Sequence, residues 1–102
     1  MDVTETTLDP YTGMSILGTD ECWELFRTHE VGRLAVSITN HPDIFPLNYA
    51  VDGETIVWRT APGTKLAAAV LGTAVAFEID GYDPDAGDAW SVVLKGTAEQ
   101  ID

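Results

Sequence analysis

The distribution of apolar and polar residues predicts one helix in the first third of the chain. Apolar side chains recur at helical spacing over residues 19–30. Thr19 is a residue type that caps helix N-termini, so the helix is predicted to start there. Residues 1–18 lack this periodicity and are predicted to form a flexible N-terminal arm, which leaves residues 19–102 as the folded domain.

A two-residue repeat then predicts short strands. Leu34 and Val36 alternate with small or polar residues, as expected for a half-buried strand. A turn is predicted at 40–43, followed by a second strand over 44–51 and a third over 54–59. The second and third strands are close enough in sequence to form a hairpin.

Asp52 and Gly53 mark the predicted turn of this hairpin, because a type I′ turn needs positive φ at both central positions. With these two residues at the centre of the turn, Tyr49 is predicted opposite Ile56. The same register places Leu47 opposite Trp58.

The remaining pattern predicts one more helix and two more strands. A loop at 60–64 precedes a short helix over 65–71 that is rich in Ala and Leu. A fourth strand over 74–79, an acidic loop over 80–89 and a fifth strand over 90–98 follow. Short strands joined by turns predict a mainly β fold, an antiparallel barrel with one N-terminal helix.

Composition narrows the possible partners. The 102 residues suffice for one domain, and 17 acidic against 5 basic residues give a formal net charge of −12. Such a surface repels nucleic acids and anionic membranes, so neither is expected as a partner. Cys22 is the single cysteine, and the N-terminus has no signal-peptide pattern. A cytoplasmic location is therefore predicted.

Metal and nucleophile motifs are absent from the sequence. His29 and His41 are not at a ligand spacing, and no CxxC, HExxH or GxSxG pattern occurs. The acidic stretch 80–88 lacks the ligand pattern of a calcium loop. No metal and no catalytic side chain are predicted.

Two of the five basic residues flank one loop. Arg59 ends the third predicted strand, and Lys65 opens the short helix behind Thr64. A forked guanidinium, an ammonium group and a hydroxyl suit a terminal phosphate monoester. Lys65 opposes the helix dipole at a cost on the order of 0.3 kcal/mol unless an anion binds there. The alternative is an ordinary strand-to-helix turn with two solvated charges.

The residues around this loop resemble a known family. The segments GRLAVSITNHPDIFPLNYAVDG and TIVWRTAPGTKLAAAVLGTAVAFEID are similar to the pyridoxamine 5′-phosphate oxidase-like proteins, the flavin-binding split β-barrel family, and most to its small actinobacterial members. The resemblance covers about residues 20–100. It implies a six-stranded antiparallel split barrel that forms a homodimer, with flavin mononucleotide (FMN), or a deazaflavin in some branches, between the subunits.

The resemblance also implies site residues. Trp58, Arg59 and Thr60 match a strand end that contacts the flavin and its tail, while Thr64 and Lys65 match the phosphate-binding positions. The strand that faces the flavin ring is matched by Leu47, Asn48 and Tyr49. In the partner subunit, residues near Trp90 match a segment that covers the ring.

Three functions follow from the resemblance. The first is a flavin-dependent oxidoreductase acting on a small molecule. The second is a flavin or deazaflavin carrier without turnover, and the third is a degenerate dimeric interaction domain. No residues match the basic C-terminal segment of true pyridoxamine phosphate oxidases, so that activity is not implied. Small family members continue for a further strand and helix, so this chain is expected to be a fragment or a trimmed barrel.

Overall fold

The computed structural model of this protein describes residues 16–59 and 65–100. Within them, two helices and six strands form a mainly β fold. In chain order the elements are α1 (Thr19–Thr28), β1 (Val31–Ile38), β2 (His41–Asn48), β3 (Ala50–Asp52), β4 (Thr55–Val57), α2 (Lys65–Val70), β5 (Ala74–Asp83) and β6 (Asp88–Thr97).

The strands form two sheets. A four-stranded sheet has the order β2-β1-β5-β6, and β3 pairs with β4 in a separate two-stranded sheet. All these pairings are antiparallel. Because β2 is an edge strand, its two prolines, Pro42 and Pro46, fit positions where a missing N–H is tolerated.

The turn predicted at 40–43 is wrong, since β2 already begins at His41. The turn consists of Thr39 and Asn40, whose φ angles of 51° and 63° are both positive. This is the pattern of a type I′ turn, and it sets Ile38 opposite His41. The sequence signal was obscured because Thr rarely adopts positive φ.

The second predicted strand divides at Tyr49. Residues 41–48 pair with β1, whereas residues 50–52 pair with β4. One extended segment thus serves both sheets and joins them. The partner of a strand is a non-local choice, so the two-residue repeat alone did not reveal this division.

The predicted register of the β3–β4 hairpin is wrong by two residues. Asp52 pairs with Thr55, and Val51 pairs with Ile56. The turn centres are therefore Gly53 and Glu54, of which only Gly53 has positive φ (60°). Glycine at the first central position is typical of a type II′ turn, the alternative to the type I′ turn expected from Asp-Gly.

The acidic loop predicted at 80–89 is mostly strand. β5 continues to Asp83 and β6 begins at Asp88, so only a short turn separates them. Gly87 has a φ of 71°, which suits glycine in this turn. Gly81 lies beneath the Trp90 ring, where an added Cβ would be 2.7 Å from the indole.

Helix α1 confirms the predicted helix but ends two residues earlier. Its N-cap residue is Gly18 without a side-chain hydrogen bond, so the predicted cap at Thr19 is wrong. The apolar stripe predicted from the helical spacing buries Cys22, Trp23 and Phe26. Leu17, just before the helix, packs against the same core.

The core lies between α1, the inner face of the four-stranded sheet and the β3–β4 hairpin. Val92 and Leu94 point inward from β6, and Leu34 and Val36 point inward from β1, where the two-residue repeat predicted a half-buried strand. Four aromatic rings meet here, joined by pairs with centroids 5.0–6.4 Å apart. They belong to Phe26, Tyr49, Trp58 and Phe77. Among the described residues, no helix combines the length and the apolar character needed to cross a bilayer.

Candidate functional site

The chain leaves the core at Trp58, directly after β4. Its half-buried indole stacks on Phe77 of β5 at an interplanar angle of 10° and a centroid distance of 6.4 Å. Stacking on a buried ring fixes the direction in which the chain leaves the hairpin. The sequence analysis named Trp58 as a site residue but not Phe77. The signal for Phe77 is the alternation of larger apolar residues with small or polar ones along β5, which is typical of a strand with one buried face.

Arg59 follows immediately and is exposed. It is the last described residue before the 60–64 segment, so Thr60 and Thr64 lie outside the described residues. Lys65 is the first residue of α2, as predicted. The backbone therefore connects an exposed guanidinium to the start of α2 through five residues.

The end of α2 is anchored to the end of β6. The Gly72 N–H donates to the Ala98 carbonyl at 2.8 Å, and the Ala98 N–H donates to the Thr73 carbonyl at 3.2 Å. The Thr73 hydroxyl also donates to the Val70 carbonyl at 2.7 Å. These bonds hold α2 against the sheet through its C-terminal end.

Tyr49 faces the core. Its hydroxyl donates to the Phe26 carbonyl at 2.6 Å, and its N–H donates to the Glu30 carbonyl at 3.0 Å. Burial raises the pKa of the Tyr49 hydroxyl, because the charged phenolate is poorly solvated there. The ring is therefore placed to hold α1 against the junction of the two sheets.

Asn48 and Leu47 differ from Tyr49 in exposure. Asn48 closes β2 opposite Val31 and is exposed, while Leu47 is half-buried against the core. Of the three residues predicted to face a ring, Asn48 has the most accessible polar side chain. Its amide can both donate and accept hydrogen bonds.

The ion pairs among the described residues involve Arg27 and Arg33. Arg33 donates to Glu78 at 2.7 Å and forms an ion pair with Asp80 at 2.7 Å. The hydrogen bond to Glu78 is the main reason that the pKa of Arg33 is raised. Arg27 lies 3.9 Å from Glu24 on the surface of α1. Among the described basic side chains, Arg59 and Lys95 have no such ion pair.

The two histidines lie at the end of α1 and at the start of β2. The His29 Nδ1–H donates to the Leu25 carbonyl at 2.7 Å, and the ring contacts Trp90 edge-on at 5.0 Å. His41 opens β2 and is exposed. The described residues contain no group of three or more His, Cys, Asp or Glu side chains arranged to hold a metal ion.

The family model of pyridoxamine 5′-phosphate oxidase matches residues 18–102. The chain belongs to this family. Its fold is accordingly the split antiparallel β-barrel, with α1 before the first strand and α2 between β4 and β5.

Solved structures of actinobacterial proteins share this fold. The FAD-binding protein of Mycobacterium smegmatis is 37% identical with a TM-score of 0.79, over 87% of this chain and 72% of that one. A candidate pyridoxamine 5′-phosphate oxidase of Corynebacterium glutamicum is 40% identical with a TM-score of 0.73. That match covers 84% of this chain and 66% of the other.

Curated relatives extend beyond the matched region. One uncharacterized protein of Mycobacterium tuberculosis is 32% identical over 90 residues, which are 83% of this chain and 59% of the relative. Another from the same species is 47% identical over 51 residues, which are 50% of this chain and 44% of the relative. The matched regions thus span about half the length of these relatives.

Proposed function

We propose that this protein binds FMN through the 59–65 segment and acts as a flavin-dependent oxidoreductase on a small molecule. The observation that carries the proposal is Arg59, an exposed residue that forms no ion pair with the described residues and leads directly into the segment before Lys65. In a chain of net charge −12, a basic residue at each end of one short segment favours a bound phosphate.

Side chains at the end of β2 and directly after β4 are proposed to contact the flat ring. Trp58 is held by stacking on Phe77, so its position is set before a ligand binds. Asn48 offers exposed amide donors and an acceptor, and Leu47 contributes apolar surface. A ring system with one polar edge and apolar faces matches these groups. Tyr49 is proposed to position this strand through its bond to Phe26.

The flavin would supply the hydride or electron chemistry, while the chain would bind and orient it. Arg59 and Lys65, with Thr60 and Thr64, are proposed to hold the phosphate. No described side chain is proposed as a catalytic acid or base. The Mycobacterium smegmatis neighbour is an FAD-binding protein, which supports a flavin as the cofactor class. A homodimer is proposed as the working unit, and a cytoplasmic location stays a prediction.

A titration with FMN and riboflavin tests the phosphate site. Riboflavin lacks the phosphate, so it should bind at least about 10-fold more weakly than FMN. Arg59→Ala and Lys65→Ala should each weaken FMN binding by about 10-fold or more, because each removes a charge-assisted contact. Their affinity for riboflavin should stay nearly unchanged. Arg27→Ala on α1 is the matched control and should leave both affinities unchanged.

Equal binding of FMN and riboflavin would contradict the phosphate site. A deazaflavin and FAD belong in the same titration, because tighter binding of either would replace FMN as the cofactor. A protein that binds none of the four would instead fit an interaction domain.

Turnover distinguishes an enzyme from a carrier. The flavin-loaded protein should lose its visible absorption band when a reduced nicotinamide is added and regain it with oxygen or a nitro compound. A band that stays unchanged under every donor would favour the carrier.

A further inference from the structure

The dipeptide Asp-Gly occurs twice in this chain, at Asp52–Gly53 and at Asp80–Gly81. Glycine has no side chain to shield its backbone nitrogen, so the carboxyl group of a preceding aspartate can reach that nitrogen wherever the backbone is free to rotate. From sequence alone, the two copies are expected to react alike. Their surroundings in the fold differ, and the difference decides which copy is reactive.

The first copy lies at the tip of the β3–β4 hairpin. Asp52 is the last residue of β3, Gly53 is the first residue of the turn, and both are exposed. The Asp52 carboxylate forms no hydrogen bond or ion pair with another described residue. A Cβ added to Gly53 would have no atom of a non-neighbouring residue within 4 Å. Neither the carboxylate nor the space around the Gly53 nitrogen is therefore restricted.

The second copy lies within the paired strands β5 and β6. The Asp80 carboxylate contacts the Arg33 guanidinium at 2.7 Å, and Gly81 pairs with Trp90 across the two strands. A Cβ added to Gly81 would lie 2.7 Å from the Trp90 ring, so the indole covers this backbone. Rotation of the chain here requires the sheet to open locally, which costs free energy that an exposed turn does not require.

We propose that Asp52 is a covalent modification site, which isomerises spontaneously to isoaspartate, and that the fold protects Asp80 from the same reaction. In the first step, the Gly53 nitrogen forms a bond to the γ-carbon of Asp52. The bond from that carbon to one carboxyl oxygen breaks, and the oxygen leaves as water with the amide proton and the proton of the carboxyl group. The product is a cyclic succinimide.

Hydrolysis of the succinimide completes the isomerisation. Water adds to one of the two carbonyl carbons of the ring, and the bond from that carbon to the Gly53 nitrogen breaks. Attack at the γ-carbon restores aspartate, whereas attack at the α-carbonyl carbon leaves the main chain running through the Asp52 side chain. The water lost in the first step is regained, so the composition is unchanged and the reaction requires no oxidant, reductant or enzyme.

Isoaspartate adds a methylene group to the backbone directly before the turn. The β3–β4 hairpin has three cross-strand pairs, and the pair of Asp52 with Thr55 closes the turn. The Thr55 hydroxyl also donates to the Asp52 carbonyl. A longer backbone at this position disrupts both contacts and the register that follows from them. Because Trp58 and Arg59 follow β4, the modified protein should lose flavin binding, a consequence that rests on the proposed function.

Prolonged incubation of the full chain at neutral pH tests the site, with isoaspartate located by peptide mapping and by labelling with a protein isoaspartate methyltransferase. Isoaspartate should form at Asp52 about 10-fold or more faster than at Asp80, because an exposed turn opens more easily than a paired strand. In denaturing urea the two rates should become similar. Equal rates in the folded protein, or no isoaspartate at Asp52, would overturn the proposal.

Asp52→Glu is the matched control variant. It keeps the negative charge at the same exposed position, but its longer side chain would have to close a larger and less favourable ring. The variant should therefore lose the label in the peptide that contains residue 52. Circular dichroism should show that it keeps the fold. Labelling of that peptide at the wild-type rate in Asp52→Glu would overturn the assignment to Asp52.

Titration of the aged protein with FMN tests the consequence for binding. The fraction of wild type that binds FMN should fall in proportion to its isoaspartate content, whereas aged Asp52→Glu should bind like the fresh variant. Full binding by protein that carries isoaspartate would overturn the link between the turn and the flavin site. Fresh protein that binds no flavin but forms isoaspartate at Asp52 would end the flavin proposal alone. FMN binding without isoaspartate would end only the modification site.

Discussion

Tyr49 shows how one side chain can join three parts of this molecule. Its backbone lies where the chain passes from the four-stranded sheet to the β3–β4 hairpin, and its hydroxyl bonds to a carbonyl near the end of α1. That carbonyl of Phe26 is one of the last four of the helix, which have no partner within the helix. Tyr49 therefore acts as a side-chain cap for α1.

Tyr49→Phe should lower the free energy of unfolding by about 1 kcal/mol, because the Phe26 carbonyl loses its partner while the ring packing stays. Urea denaturation measures the change. Tyr82→Phe is the matched control, since Tyr82 is 67% exposed, and it should alter stability by less than about 0.5 kcal/mol. Equal effects of the two substitutions would contradict the role of Tyr49.

The raised pKa of Tyr49 predicts a loss of stability at high pH. Below about pH 10 the hydroxyl is protonated in both the folded and the unfolded chain. Above it the unfolded chain ionises first, so stability falls as the pH rises through the raised folded pKa. In urea titrations above about pH 10, Tyr49→Phe should therefore lose less stability than the wild type. A parallel decline in both proteins would contradict this prediction.

At the scale of elements, the close approach of β1 and β5 depends on Gly32. A Cβ at this position would lie 2.5 Å from the Phe77 ring and 2.9 Å from the Glu78 carbonyl oxygen. Phe77 cannot move away easily, because it contacts three other aromatic rings. The backbone oxygen is held in the sheet, since Arg33, next to Gly32, pairs with Glu78.

Gly32→Ala should destabilise the fold by about 1–3 kcal/mol, the usual cost of overpacking a core. Urea denaturation followed by tryptophan fluorescence measures it. Ser37→Ala, an outward position on the same strand, serves as the control and should change stability by less than about 0.5 kcal/mol. A neutral Gly32→Ala would show that β1 and β5 can separate without cost.

At the scale of the whole molecule, the net charge of −12 opposes compaction. Of the described ion pairs, Arg33 with its two carboxylates is half-buried, and Arg27 with Glu24 lies on the surface. These pairs involve only a few of the acidic side chains, and ion pairs on the surface contribute little to stability. Most of the negative charge on the described residues is therefore left uncompensated.

Salt should therefore stabilise this protein. Raising the ionic strength from about 0.01 to 0.15 M shortens the screening length from about 30 to 8 Å and reduces self-repulsion. We expect a gain on the order of 0.5 kcal/mol, seen as a Tm increase of about 2–4 °C in thermal denaturation. Sodium chloride and potassium chloride should act alike, and an unchanged or lower Tm would contradict the prediction.

The sequence by itself determined features that depend on near neighbours. Helix α1, the beginning of α2 and the alternation of buried residues along β1 all follow from local sequence patterns. The resemblance in two segments was also enough to identify the family, which the match over residues 18–102 confirmed. The candidate site residues at Arg59 and Lys65 came from this same local reading.

The tertiary structure alone decided which strands meet. It divided the segment around Tyr49 between two sheets, shifted the β3–β4 register by two residues and buried Tyr49 beneath α1. It also paired Ile44 with Ala35 across β1 and β2, and Lys95 with Ala76 across β5 and β6. These features depend on contacts between residues far apart in sequence, and a two-residue repeat says which side chains share a face but not which strand lies beside it.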